Sequence, residues 1–231
     1  MTRTKSAEEV RREYLDTMGP ELGPLFHRLS IETTWLNWRW QQYVLLYGGK
    51  QGRLDILNQS APFFFFIIQE TLWHDALLGI ARLSGPSETG GKRNLAVRRL
   101  LPLLDDEALK DEVTDLIADM DGACAFALEL RNRHIAHRDL DLALGHEARP
   151  LPLASQEKLE VAIESIVAVL NRVQRHYQDA TTAYNFSGQV YDADALLHVL
   201  RDGLRREELR RSKLENGEYD PVDWNDDLPP I

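Results

Sequence analysis

Ser155-Gln-Glu-Lys-Leu-Glu-Val-Ala-Ile-Glu-Ser-Ile-Val-Ala-Val-Leu-Asn-Arg-Val-Gln-Arg-His-Tyr177 decides the fold class. Leu159, Ile163, Ile166, Val169, Leu170, Val173 and Tyr177 recur every three or four residues, the period of one face of an α-helix. Ser155 stands where an N-cap hydroxyl would. The same period runs outward through most of the chain. Toward the N-terminus, Ser6-Ala-Glu-Glu9 is a capping box that opens a short charged helix to about Met18. Gly19-Pro20 interrupts it. A helix from about Glu21 to Tyr47 follows, with Pro24 in its first turn and Gly48-Gly49 ending it. Pro62 starts another helix to about Leu83. Its four consecutive Phe are apolar on every side, which places it centrally or against a partner. Residues 84–93 read as a loop and Asn94 to Leu104 as a short helix. Asp105-Asp106-Glu107 supplies acids for the N-terminus of a long helix from about Glu107 to His137.

On the other side of the opening stretch, Asn185 to Gln189 is a break and Asp192 to about Asn216 a last charged helix. There is no run of alternating strands, no internal repeat and no long heptad pattern. The class is all-α, a bundle of long antiparallel helices. No composition shift divides it, so the expected organisation is one helical domain, 1–216, and an acidic Pro-containing tail, 217–231. The tail carries Glu218, Asp220, Asp223, Asp226 and Asp227.

The 231 residues hold 27 Lys+Arg against 37 Asp+Glu, a net charge of −10. With 43% hydrophobic and 28% charged residues, the composition is that of a folded globular chain, not of a disordered, collagenous or membrane protein. The acidic balance excludes a general nucleic-acid coat, because that binding runs on clustered Lys and Arg. It leaves room for a local basic site. The single cysteine, Cys124, sits in an apolar stretch and reads as a small buried residue in a reducing cytosol. The N-terminal residues have no apolar core of a signal peptide. The longest apolar run, Ala61 to Ile68, falls short of the ~20 residues of a spanning helix. The expected location is therefore cytoplasmic, with no membrane.

Several motifs fail on inspection. Gly85-Pro-Ser-Glu-Thr-Gly-Gly-Lys92 resembles a phosphate loop, but Arg93 stands where a Ser or Thr should hold magnesium, and no strand precedes it. No metal-ligand spacing occurs, and no cofactor is implied. His27, His74, His176 and His198 are isolated in sequence. No Ser lies in a nucleophile elbow. Trp35-Leu-Asn-Trp-Arg-Trp40 does not place its three indoles on one face. Core and dimer contact is the favoured reading; base stacking beside Arg39 is the other.

Leu128-Glu-Leu-Arg-Asn-Arg-His-Ile-Ala-His-Arg-Asp139 stands apart. In an acidic chain it gathers Arg131, Arg133, His134, His137 and Arg138 near the end of a helix. Arg clamps phosphate through two parallel donors. His carries protons near neutrality. Asn132 can orient either. These are the parts of a metal-free ribonuclease, in which a base frees the ribose 2′-OH to attack the neighbouring phosphate. Geometry sets a condition. Arg131 and His137 lie six apart, about 600° around an α-helix, hence about 120° off one face. They converge only if the helix distorts, if long side chains wrap, or if a second copy completes the site. The same residues also suit a plain helix C-terminus, where cations meet the negative end of the dipole.

Arg131-Asn-Arg-His-Ile-Ala-His137 resembles the signature of the HEPN superfamily: an Arg, a polar residue after it, and a His beyond a short interval, here five residues. Ser60-Ala-Pro-Phe-Phe-Phe-Phe-Ile-Ile-Gln-Glu-Thr71, Leu77 to Leu83 and Asn94 to Leu100 extend the likeness to the AbiU-like HEPN proteins of abortive infection, over roughly residues 30 to 200. The resemblance implies an HEPN-like helical bundle, a homodimer, and metal-independent RNA cleavage at a site shared across the two-fold. It implies Arg131 and His137 as the catalytic pair and Asn132 as the polar residue beside them. Arg133, His134 and Arg138 are then extra groups for RNA phosphate. HEPN toxins controlled by nucleotide transfer often carry a Tyr two residues beyond the His. Here Asp139 occupies that position, which argues against such control. The expected function is a ribonuclease toxin or antiphage effector, with RNA and an antitoxin or regulatory protein as partners. Two alternatives stand beside it: a catalytically silent module that binds RNA, nucleotide or protein, and a helical scaffold.

Overall fold

The structure, a computed structural model, describes residues 6–49, 51–136, 140–144, 150–185 and 192–218. They form α1 (Ala7–Tyr47), α2 (Gln51–Ser60), α3 (Pro62–Ser84), α4 (Glu107–Leu130), α5 (Leu140–Ala143), α6 (Gln156–Gln178) and α7 (Ala193–Glu215). The described chain is all-α apart from one two-stranded ribbon, β1 (Glu88–Thr89) and β2 (Lys92–Arg93). His137, Arg138, Asp139 and the tail beyond Glu218 lie outside the described residues.

Local signals set the helix starts. Glu9 N–H donates to Ser6 Oγ at 3.2 Å and Ser6 N–H to Glu9 Oε2 at 2.7 Å, the two halves of a capping box. Asp106 accepts from Leu109 N–H at 2.7 Å, Ser155 from Lys158 N–H at 3.2 Å, and Asp192 from Asp194 N–H at 3.0 Å. The break at Gly19 is a reversal. Its φ of 81° is open to glycine and strained for other residues. Tyr14 and Phe26 would stand about 18 Å apart along a straight helix, yet their rings meet at 5.1 Å. The short arm of α1 therefore folds back along the long arm. Gly23 makes room for this, since a Cβ there would overlap the Tyr14 carbonyl.

The chain forms two compact units, Met1–Gln41 with Glu70–Ser187, and Gln42–Gln69 with Gly188–Ile231. In the first, α4 packs along α6, with Leu109, Val113, Met120 and Cys124 against Leu159, Ile166, Leu170 and Val173 in the fully buried core. Burial pushes the Cys124 thiol above its ordinary pKa. Its place inside the core agrees with the reading of a small apolar residue. In the second unit, α2 packs on α7. Arg53 pairs with Asp194 at 3.5 Å, and Gln42 Oε1 accepts from Ala193 N–H at 2.8 Å.

Several features differ from the sequence reading. Residues 94–104 hold two 3-10 turns, Val97–Arg99 and Leu101–Leu103, in place of one short helix. Pro102 lacks the N–H that a longer helix would use there. The phosphate-loop look-alike is a hairpin whose Gly90 and Gly91 take φ of 57° and 74°, as a two-residue turn demands. Arg98 holds the loop by donating to the Ser84 and Gly85 carbonyls at 2.8 Å each. Of the four Phe in α3, only Phe65 is buried, while Phe63 is 74% exposed. Of the two placements expected for this helix, central or against a partner, the central one is not met for all four Phe within one chain. By length and composition alone, α3 is apolar enough to cross a bilayer. Its C-terminal part instead supplies core residues, Ala76, Leu77, Ile80 and Ala81, to the first unit.

Candidate functional site

The buried stripe of α4 ends at Leu130, one residue before the basic block. Arg131 N–H still bonds to the Ala127 and Leu128 carbonyls. From there the winding changes. Arg131–Ile135 is a π turn, and Ala136 N–H bonds five residues back to the Arg131 carbonyl at 2.8 Å. The sequence reading continues this helix as regular α to His137. The α form stops at Leu130, and no Pro or Gly announces the change. A π turn takes in an additional residue per bonded ring, so the angular offset counted for a regular helix no longer holds past Arg131. Distortion was one of the three conditions for the Arg and His residues to converge.

Arg131 is half-buried and has no carboxylate partner among the described residues. Asn132 is exposed. Arg133 donates to Glu129, one turn earlier, at 3.0 Å, in a pair whose side chains are 20% and 25% exposed. That carboxylate offsets part of the local positive charge. His134 turns toward α3, where its ring meets His74 edge-on with centroids 6.0 Å apart. His74 is the residue that sequence reasoning passed over. It stands alone beside Trp73, and no local signal links it to a block so far along the chain.

The next residue on α3 ties this turn to α1. Arg39 Nη1 donates to Asp75 Oδ1 at 2.9 Å, and Arg39 Nε donates to the Trp35 carbonyl at 3.1 Å. Asp75 Oδ2 is buried without a hydrogen-bond partner among the described residues. A continuous path thus runs from the Trp cluster through Arg39 and Asp75 to His74 and His134. Of the site residues expected from sequence, the structure describes Arg131, Asn132, Arg133 and His134; His137 and Arg138 fall outside it. No group of three His, Cys, Asp or Glu side chains converges among the described residues. Among the described residues of the block and α3, the chemistry on view is the Arg131 guanidinium without a carboxylate partner, the carboxylate-bound Arg133 and the edge-on pair of imidazoles His134 and His74.

A family model for abortive-infection HEPN proteins, HEPN_AbiU2, described as AbiU2, matches residues 19–196. The chain belongs to the AbiU2 family of HEPN proteins. The match takes in the long arm of α1, the Phe-rich α3 and the whole Arg131–Asp139 block of this AbiU2-family chain. Comparison with curated proteins and with solved structures finds no match.

Proposed function

We propose that this AbiU2-family protein is a metal-independent endoribonuclease of an abortive-infection system, acting in the cytoplasm as a homodimer. Its site pools Arg131 and His137 of two copies. One imidazole takes the proton of a ribose 2′-OH, the freed O2′ attacks the adjacent phosphorus, and a cyclic phosphate forms as the P–O5′ bond breaks. A second imidazole returns a proton to the leaving O5′. Arg131 stabilises the charge that builds on the phosphoryl oxygens. Asn132 orients this pair, and Arg133, His134 and Arg138 hold flanking phosphate.

The observation that carries the reading is the π turn at Arg131–Ile135, set against His74. Such turns recur where a helix must re-aim side chains for function. A plain cationic C-terminus would need no such change. The test is cleavage of single-stranded RNA in EDTA by wild type, Arg131→Ala and His137→Ala. Chelator-resistant cleavage, reduced by about 10²-fold or more in each variant, is expected from the usual worth of acid–base and electrostatic groups. Equal activity in the folded variants overturns it.

The Arg133–Glu129 pair favours a second reading, a silent binding module, since it commits one cation to a carboxylate of its own helix. That reading expects RNA binding without turnover, and any turnover lost in His137→Ala removes it.

A further inference from the structure

The reversal of α1 at Gly19 builds a second feature away from the basic block. Between the short arm, the long arm and the segment after α6 lies an open cleft of about 420 Å³. This is within the usual range for small-molecule sites, roughly 300–1,000 Å³. Tyr14, His27, Thr34, Trp35, Trp38 and Thr182 line it. All belong to the first compact unit.

The cleft's composition separates it from a gap in packing. Trp40 of the same cluster is core, 5% exposed, whereas Trp35 is 52% exposed and sets its ring edge-on to Trp38 at 5.3 Å. An indole more than half exposed, beside a concave surface, offers a stacking face that the fold itself does not use. The walls behind it are held in place. Thr182 N–H donates to Asn171 Oδ1 at 2.9 Å, and Thr182 Oγ1 donates to Gln174 Oε1 at 2.8 Å. Thr34 Oγ1 donates to the Ser30 carbonyl at 2.8 Å. Both hydroxyl oxygens keep lone pairs to accept from a ligand. His27 stands beside Tyr14, ring centroids 5.8 Å apart. Burial, then Arg11 and Arg28, lower its pKa, which favours the neutral ring with one donor and one acceptor. Arg28 is bound to Glu32 at 2.8 Å, but exposed Arg11 has no ion-pair partner among the described residues.

We propose that this cleft binds an unpaired nucleobase, stacked on the face of Trp35 with the edge-on Trp38 ring beside it, its attached phosphate reaching toward Arg11, the neighbour of the lining residue Val10. Aromatic faces, short hydrogen-bonding groups and a cation with no ion-pair partner among the described residues together match a nucleotide, whereas an aliphatic ligand would need neither the cation nor the hydroxyls. The Trp35 carbonyl accepts from Arg39, which holds the Asp75 next to His74. A base seated here is thereby connected to the turn that carries the candidate catalytic groups. As a subsite for substrate RNA the cleft rests on the ribonuclease reading; as a nucleobase site it stands by itself.

The experiment measures equilibrium binding to the full-length protein by calorimetry. The probes are AMP and CMP, a short single-stranded oligoribonucleotide, and an abasic oligomer of the same length. Binding is read in wild type, Trp35→Ala, Trp35→Phe and His137→Ala. Trp35→Ala is expected to weaken nucleobase-bearing probes by about tenfold or more, the usual worth of one stacked base, with Trp35→Phe restoring most of it. His137→Ala is expected to bind as wild type even where cleavage is lost, so the two proposals fail separately. An oligonucleotide preferred over mononucleotides assigns the cleft to RNA; equal binding assigns it to a free nucleotide. Both support the site. Wild-type affinity in folded Trp35→Ala, abasic binding as strong as the intact oligomer, or no binding of any probe overturns it.

Discussion

At the residue scale, function in this chain depends on which polar groups are already engaged. Arg133 is bound to Glu129 and Arg39 to Asp75, so neither is simply a free cation, although both look alike in sequence. His27 shows how context also sets charge. Desolvation comes first and the nearby Arg11 and Arg28 second, and all lower its pKa from 6.5. A histidine whose folded pKa is depressed binds a proton less readily folded than unfolded. Stability therefore falls as pH drops from about 6.5 toward the folded value, and no further loss from this group follows below it. Replacing His27 with Gln should flatten the denaturation midpoint across that window. A midpoint whose pH dependence is the same in wild type and His27→Gln would show that the ring carries no such linkage.

At the element scale, two glycines of opposite circumstance test how α1 is built. Gly23 lies where the folded-back short arm passes, and a methyl there would overlap the Tyr14 backbone. Gly23→Ala should lower stability by about 1–3 kcal/mol through overpacking and loosen the cleft formed by the two arms. Gly122 sits exposed within α4 with open space around its Cβ position. Gly122→Ala should raise stability by roughly 0.5–1 kcal/mol, because alanine costs less backbone entropy in a helix. Urea midpoints of both variants check the pair; a destabilised Gly122→Ala or a neutral Gly23→Ala contradicts the assignment. The π turn belongs to this scale as well. It lies at the junction of a buried stripe and a basic block, where α4 runs out of core to cover.

At the scale of the whole molecule, charge is unevenly placed. The last fifteen residues carry Glu218, Asp220, Asp223, Asp226 and Asp227 and no Lys or Arg, so half of the net −10 resides there. If that segment competes with RNA for the basic block, deleting residues 217–231 should raise RNA affinity several-fold at about 0.01 M salt, where the Debye length is about 30 Å. The gain should shrink as salt is added. Equal affinity of the truncated and full-length chains at low salt discards the competition. A protein whose background is acidic holds long RNA poorly, and selectivity then rests on local features such as the Arg131 block and the Trp35 cleft.

Much of the secondary structure was legible because its causes are local. The capping side chains of Ser6, Asp106, Ser155 and Asp192 act on amides two or three residues away. The stripe from Leu159 to Val173 needs only the helical period, and the Gly19 break needs only the freedom of a residue without Cβ. The basic block was legible by composition, and the family likeness by its order of residues. The tertiary structure decided the rest. It folds the short arm of α1 back to make a cleft, brings His74 to His134, and commits Arg133 and Arg39 to carboxylates. It also unwinds α4 into a π turn with no sequence signal. Each of these depends on which surfaces meet in three dimensions, and linear spacing sets the period of one helix, not the identity of its neighbours.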